Sequence, residues 1–406
     1  LKSQNRVPGG ILLIAGTSIG AGMLALPSVT SFGGFLPSFC IFFVIWALML
    51  ATAFFLLDVN LSFRGEPNFV SLAGKTLGKY GKAVTWVFYL LLLYALLAAY
   101  ISACAPLFIS TFSSLFSVSL SAYAAPFLLP LVFGGVIYLG TRGADYFNRI
   151  LMVGLILSYI FLTGSLPSKV ETERLLHNDF LASLVAVPVI ITSFGYHIII
   201  PTLTTYLEHK RSLLRKTLLI GSAIPFTVYM IWQWTVLGTV PLEALASSWQ
   251  DGVPSTEPLS SFLGSSVIRI TARFFSFFAV ITSFLGVSLS LSDFLSDGLK
   301  IKKTRKGKLI ALALTFVPPL LFIFSYKKSF YAALDYAGVF VAVLLGILPC
   351  LMVLRLKNQQ KYQTVYAKCG IYLIILLCLG VIGINILEKR GIFDSVLLPY
   401  LQRIAS

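Results

Sequence analysis

Long runs of Ile, Leu, Val, Phe and Ala, twenty residues or more, alternate along this chain with short stretches of Lys, Arg, Gly and Pro. The runs are unbroken rather than alternating, which excludes the short in-out pattern of a transmembrane β-barrel. Their length is what an α-helix needs to cross about 30 Å of hydrocarbon. Counted between charged or turn-rich breaks, they predict eleven spans, at 7–32, 35–61, 83–113, 124–140, 145–166, 183–206, 215–240, 266–297, 308–325, 329–354 and 367–387. The expected fold is an all-α polytopic membrane protein, one membrane domain over 1–406 with no linker or soluble domain.

Composition agrees with this pattern: 57% hydrophobic residues and only 11% charged exclude a soluble globular chain. The net charge of +16 is spread over short loops rather than gathered on one face or in a tail, so it reports topology and not a nucleic-acid partner. With the N-terminus in the cytoplasm, 22 of the 31 Lys and Arg fall on the inner side. They include Lys2, Arg6, Arg64, the cluster from Lys300 to Lys308, and Lys357. The outer loop "PLEALASSWQDGVPSTEP" holds three acids and no Lys or Arg, so the expected orientation is N-in and C-out. "LKSQNRVPGG" runs straight into the first span and reads as its start rather than as a removable signal. The loop "SFRGEPNFVSLAGKTLGKYGK" reads either as a short helix on the anionic inner leaflet or as an ordinary basic loop. Cys40, Cys104, Cys350, Cys369 and Cys378 lack metal-ligand spacing and are expected to be packed, with no disulfide and no metal.

Two spans break the pattern. The first contains "GTSIGAGMLALP", and the sixth contains "ITSFGYHIIIPTLTTY" with Gly195 and Pro201 around Tyr196 and His197. Gly in a helix interior costs roughly 1 kcal/mol relative to Ala, so a plain lipid-facing helix has no use for it. Taken singly, Gly16 and Gly20 read as a GxxxG packing pair and Pro201 as a kink. Taken together, they are interrupted helices that enter the membrane from opposite sides, the signature of an inverted-repeat secondary transporter. The repeats are expected at 1–166 and 183–355, with helix 11 and the tail at 367–406. Unwound backbone is tolerable in hydrocarbon only where it faces a cavity and a ligand. Half-helix N-terminal ends suit a carboxylate, and free carbonyls suit an ammonium or a cation, so a zwitterionic amino acid meets both demands.

Other functions find less support. The three His residues, His177, His197 and His209, come without HExxH or clustered carboxylates, so no hydrolytic enzyme is assembled. A channel would favour repeated polar pore faces, whereas two halves in one chain suit alternating access.

Four motifs in order, "GTSIGAGMLALP", "SFGYHIIIPTLTTYL", "TSFLGVSLSLSDFLSD" and "LDYAGVFVAVLLGILP", resemble the bacterial tyrosine- and tryptophan-specific permeases of the aromatic amino-acid permease family. The resemblance covers nearly the whole chain. It implies a leucine-transporter-like fold, a monomer in the bacterial inner membrane, and import of aromatic amino acids with a co-transported ion, usually H⁺, as the sole cofactor. By position in those motifs, Thr17, Ser18, Gly20, Ala21 and Gly22 would hold the substrate's main chain, and Ser193, Phe194, Gly195, Tyr196 and His197 would surround it. Tyr94 and Tyr100, with Phe194, are candidates for the aromatic slot, and His197, Ser102 or Thr202 for a partner to a phenol. For the ion, two sets stand open. Na⁺ would sit among Gly16, Ile19, Thr282 and Ser283, whose oxygens suit a hard cation, or these hydroxyls simply bond back to their own helix. A proton would use an ionisable group in the membrane: His197, unless it is a neutral imidazole held for structure or substrate contact, or Asp335, which either pairs with Arg269 and Arg273 as an outer gate or faces a wet vestibule. Asp58, Glu208, Asp293 and Asp297 are expected to pair with the basic loops.

Overall fold

The computed structural model describes residues 6–63, 65, 67–116, 120–139, 141–262, 265–302, 304–326, 328–356 and 360–405. Of the charges that set the expected orientation, Lys2, Arg64, Lys303, Lys327 and Lys357 lie outside these residues. In chain order come α1 (Val7–Ser18), a 3₁₀ turn (Ala21–Leu24), α2 (Leu26–Thr30), α3 (Phe35–Leu61), α4 (Phe69–Phe116), α5 (Ala125–Leu139) and α6 (Thr141–Ser165). A connection carrying the short α7 (Thr172–Leu175) leads to a 3₁₀ turn (Ala182–Ala186), α8 (Val187–Thr192), a second 3₁₀ turn (Tyr196–Ile199) and α9 (Ile200–Tyr206). Then follow α10 (Arg211–Thr239), α11 (Leu242–Asp251), α12 (Thr256–Phe262), α13 (Ser266–Gly298) and α14 (Arg305–Ser325). The chain ends with α15 (Ser329–Val341), a π segment (Ala342–Ile347), α16 (Leu348–Leu354), α17 (Val365–Lys389) and α18 (Asp394–Ala405).

Among the described residues, nine helical stretches are long and apolar enough to cross a membrane, counting Ala182–Tyr206 across its break. The remaining expected spans coincide with two shorter apolar helices, Val7–Ser18 and Ala125–Tyr138, neither of which reaches the length of a span alone. The first is short for a physical reason. Backbone at Ile19 and Gly20 turns extended (ψ 111° and −157°), so the expected span 7–32 is divided into α1, a 3₁₀ turn and α2. The sixth span divides in the same way between α8 and α9. Pro27 and Pro201 each fall in the first turn of the second half-helix, where a missing N–H costs nothing. Pro201 therefore starts α9 rather than kinking a continuous helix. The basic loop after α3 is helical from Phe69 and forms the first part of α4, which kinks at Gly78 (φ +73°).

Gly16 is no packing glycine, because only the Met152 Cε lies near its missing Cβ. Close packing falls instead to Gly9 and Gly10, against Tyr206, Leu203 and Thr217. Cys104, Cys350 and Cys378 are buried as expected, whereas Cys40 and Cys369 are exposed on the outward faces of α3 and α17. An outward face of a membrane helix is covered by lipid, so an apolar Cys there needs no protein contact.

At the membrane end shared by the start of α1, the end of α3 and the start of α10, Asp58 is fully buried. Its Oδ1 accepts from Arg211 Nη2 at 2.5 Å, and its Oδ2 from Lys361 Nζ at 2.5 Å, Arg215 Nη2 at 3.5 Å and the Tyr362 hydroxyl. One carboxylate thus ties α3 to α10 and to the α16–α17 connection, as the sequence leads one to expect of an acid among basic loops. Arg6 reaches Glu208 at 3.5 Å on the same side.

At the opposite end, α2 turns into α3 through Gly34, whose φ of +83° and close approach to the His177 carbonyl admit no side chain. The Phe32 carbonyl pairs with His177 Nε2 at 2.8 Å, and the Phe32 ring packs edge-on against Trp249 of α11 and Tyr400 of α18. Tyr400 donates to Asp179 Oδ2 at 2.7 Å. Burial works against the Asp179 charge, but the Ala182 N–H, the Tyr400 hydroxyl, the Leu181 N–H and the nearby His177 hold the carboxyl below its usual value.

Because the cations around Asp58 are nearly half exposed and can turn to water, Asp58→Ala is expected to destabilise the protein by about 1–3 kcal/mol, short of the full loss from a dry ion pair. Thermal unfolding in detergent would register this as a midpoint several degrees lower; an unchanged midpoint would mean the cluster is not holding the helices.

Candidate substrate site

Where α1 and α8 stop, their C-terminal ends meet beside a cavity of about 330 Å³. Gly16, Thr17, Ser18, Ile19, Gly20 and Gly22 line it from the first break, and Thr192, Ser193, Gly195, Ile198 and Ile199 from the second. Thr282, Ser283, Gly286, Val287 and Ser290 of α13 form a third wall. Gly16, Thr17, Gly286 and Ser290 are exposed, whereas Ala21, Met23 and Leu24 are buried, so the cavity opens toward the end where α1 begins and is sealed toward α2.

The freed backbone groups are met by side chains from other elements. Ser283 Oγ accepts the Ala21 N–H at 3.0 Å, capping the 3₁₀ turn. The Tyr229 hydroxyl lies 2.5 Å from the Ser18 carbonyl and 3.0 Å from that of Ser193. The Leu24 carbonyl accepts from both the N–H and the hydroxyl of Ser255, at 2.9 and 2.7 Å. Gly20 is closely approached: a Cβ there would force Ser283 Oγ off the Ala21 N–H.

Of the residues expected at the site, Gly16, Thr17, Ser18, Ile19, Gly20, Gly22, Tyr100, Ser193, Gly195, Thr282 and Ser283 all face this one cavity. Ala21 sits just behind the lining, its N–H on Ser283. The others lie elsewhere. Tyr94 points to α14, donating to the Leu314 carbonyl at 2.8 Å, because six residues of helix carry it well round from the face of Tyr100. Phe194 packs against Phe42 and Tyr229 with ring centroids at 6.3 and 5.5 Å. Past the turn at Gly195, Tyr196 stacks on His197 and both are fully buried, His197 toward α3, where its Nε2 pairs with Thr52 Oγ1 at 2.9 Å. Ser102 pairs with Ser329 at 2.7 Å, and Thr202 is exposed on α9, so neither reaches the cavity. Asp335 does not meet Arg269 or Arg273; it is buried against α17, with Lys389 Nζ 3.2 Å from its Oδ2. That pair spans 54 residues and nothing in the local sequence announces it.

Several lining residues escaped the sequence reading. Tyr89, Leu93 and Leu96 share a face of α4 with Tyr100 by their three- and four-residue spacing, a signal present in the sequence. Asn148 and Met152, four apart on α6, also line the cavity, and the buried Asn148 Oδ1 has no hydrogen-bond partner. Thr282 spends its hydrogen on the Phe278 carbonyl at 2.8 Å.

An all-helical bundle with two helices broken around a shared central cavity is the arrangement of a multi-pass membrane transporter. It matches the crystal structure of MhsT in complex with L-phenylalanine at a TM-score of 0.63, covering 93% of this chain and 97% of that one at 16% identity. The fold is therefore leucine-transporter-like. The tryptophan/tyrosine permease family matches residues 3–388, and the chain belongs to it. Tyrosine-specific transport system 1 of Haemophilus influenzae is 32% identical over 93% of this chain and 96% of its own length. The tryptophan-specific transport protein of the same organism is 29% identical over 89% of this chain and 90% of its own. The chain is a transporter and not an enzyme.

The contact between residues 20 and 283 yields a paired test. Gly20→Ala should lower transport at least about tenfold by displacing Ser283 from the Ala21 N–H. Adding Ser283→Ala to the same chain makes room for the new methyl, so the double variant should lose less than the two single losses combined. Strictly additive losses in an uptake assay would show that the two residues do not share this contact.

Proposed function

We propose that the chain imports aromatic amino acids, tyrosine and tryptophan foremost, across a bacterial inner membrane by symport with a cation and alternating access. The observation that carries this is the meeting of both helix breaks at one cavity of about 330 Å³ walled by Tyr89 and Tyr100. That size falls in the ~300–1,000 Å³ range of small-molecule sites. The names of the relatives, tyrosine-specific and tryptophan-specific, support the substrate class. In this reading the substrate's main chain lies on Thr17, Ser18, Gly20, Ala21, Gly22, Ser193 and Gly195, and its ring between Tyr89 and Tyr100. Residues 1–166 and 183–355 act as two inverted repeats, with α17 and α18 appended to a monomer. The concentration of Lys and Arg supports an N-terminus in the cytoplasm, and the opening of the cavity is then inward.

For the ion, the family resemblance favours a proton, with His197 and Asp335 its candidate carriers. A specific observation favours Na⁺ as a second reading. Gly16, Ile19, Thr282 and Ser283 all border the cavity, while His197 and Asp335 are buried away from it.

Uptake of labelled tyrosine into liposomes separates the two. Proton coupling predicts uptake driven by a proton gradient, indifferent to sodium and abolished by a protonophore; uptake that follows sodium transfers the ion to the α1–α13 set. No uptake of tyrosine or tryptophan under either gradient would contradict the aromatic assignment. Asn148 supplies a further test. Its Oδ1 is buried beside the cavity without a partner, and a turn of the side chain brings it to a phenol or indole hydrogen, so Asn148→Ala should narrow the preference for tyrosine over phenylalanine by roughly 10- to 100-fold. Competition by unlabelled phenylalanine measures this, and an unchanged ratio would remove Asn148 from specificity.

A further inference from the structure

Tyr229, fully buried on α10, is not among the cavity-lining residues, yet its hydroxyl stands where both interrupted spans end. Ser18 is the last residue of α1 and Ser193 the C-cap of α8. Both carbonyls point at this one oxygen, from 2.5 and 3.0 Å. The C-terminal end of a helix carries partial negative charge equivalent to about half an electron, and here two such ends converge. A phenol has one hydrogen to donate, so it answers two carbonyls while saturating neither. The ring is held in place by Phe194 and Phe42, at 5.5 and 6.2 Å between centroids. Both serines also line the cavity, so whatever fixes their carbonyls fixes the wall that a ligand meets.

We propose that Tyr229 is a positioning residue of the substrate site, its single hydroxyl hydrogen coupling α1 to α8 so that the two broken spans present their end carbonyls together. This rests on reading the cavity as the amino-acid site. The coupling itself is a property of the helices and can be measured without substrate. Without the hydroxyl, the two carbonyl ends repel each other with no shared donor between them, and the spacing of α1 from α8 becomes variable. The substrate then meets a site whose two halves are no longer in register. It binds more weakly, while the steps that follow binding keep their rate.

The test uses spin labels on Leu13→Cys and Leu181→Cys, both exposed positions, in the full-length chain with the exposed Cys40 and Cys369 replaced by serine. Tyr229→Phe keeps the ring and its contacts and removes only the donor. The expected results are a broadened distance distribution and a KM for labelled tyrosine raised about tenfold, with maximal rate within about twofold. Tyr229→Gln supplies amide donors without the ring and should recover part of the narrow distribution. A Tyr229→Phe distribution as narrow as that of the unaltered residue overturns the proposal whatever uptake does. A broadened Tyr229→Phe distribution with an unchanged KM overturns it as well, because the register of the two helix ends would then not matter to the substrate. If the chain with Tyr229 intact transports no aromatic amino acid, the functional reading fails separately, and the distance measurement alone decides on the coupling.

Discussion

Within hydrocarbon, a peptide N–H or C=O without a hydrogen bond costs several kcal/mol, because no water is there to replace the partner. This protein stops two helices midway through the bundle, and much of the surrounding architecture answers that constraint. The partners come from separate elements: Ser283 of α13 takes the Ala21 N–H, Ser255 takes the Leu24 carbonyl, and Tyr229 of α10 serves Ser18 and Ser193. Each break is therefore held from outside its own helix. The same contacts that make the breaks tolerable fix the walls of the cavity.

The two ends of the molecule are closed by different chemistry. Toward α2 most contacts join neutral groups, Thr30 on Gln233, Ser28 on Ser248, Tyr331 on the Val253 carbonyl, and Phe32 between Trp249 and Tyr400, alongside the Asp179 carboxylate on Tyr400 and the Asp335–Lys389 pair. Toward the start of α1 the contacts are ionic and partly wet, with Asp58 at their centre and Arg6 on Glu208. Ion pairs with half-exposed partners exchange with water at little net loss, whereas a packed aromatic seal must give up buried area to open. The end with ionic contacts is also the one to which the cavity opens.

Much of this was legible in the chain. Unbroken apolar runs predict the helices, and glycine followed by proline at residues 20 to 27 and 195 to 201 predicts where two of them are interrupted, since glycine releases the helix and proline restarts it. Backbone residues at those breaks reach the cavity because the break itself makes the cavity. Side chains were harder. Phe194, Tyr196 and His197 adjoin the second break, but Phe194 and His197 face Phe42 and Thr52 of α3, a rotation that residue types do not encode. Tyr94 and Tyr100 look equivalent in sequence and differ only by helical phase. Partners that meet across long separations, Lys389 with Asp335 or Tyr229 with Ser18 and Ser193, carry no local mark among 18 tyrosines and 31 basic residues.

The central claim is that the two breaks together form the place where the substrate sits. Its most direct measurement is protection of a cysteine placed at Thr17, which lines the cavity and is exposed, in a chain lacking Cys40 and Cys369. Modification by a water-soluble thiol reagent should slow in proportion to bound tyrosine or tryptophan, while a cysteine at the exposed Ser395 of α18 reacts at an unchanged rate. Equal reactivity at residue 17 with and without saturating aromatic amino acid would contradict the account, because it would mean that the substrate binds somewhere other than between the broken helices.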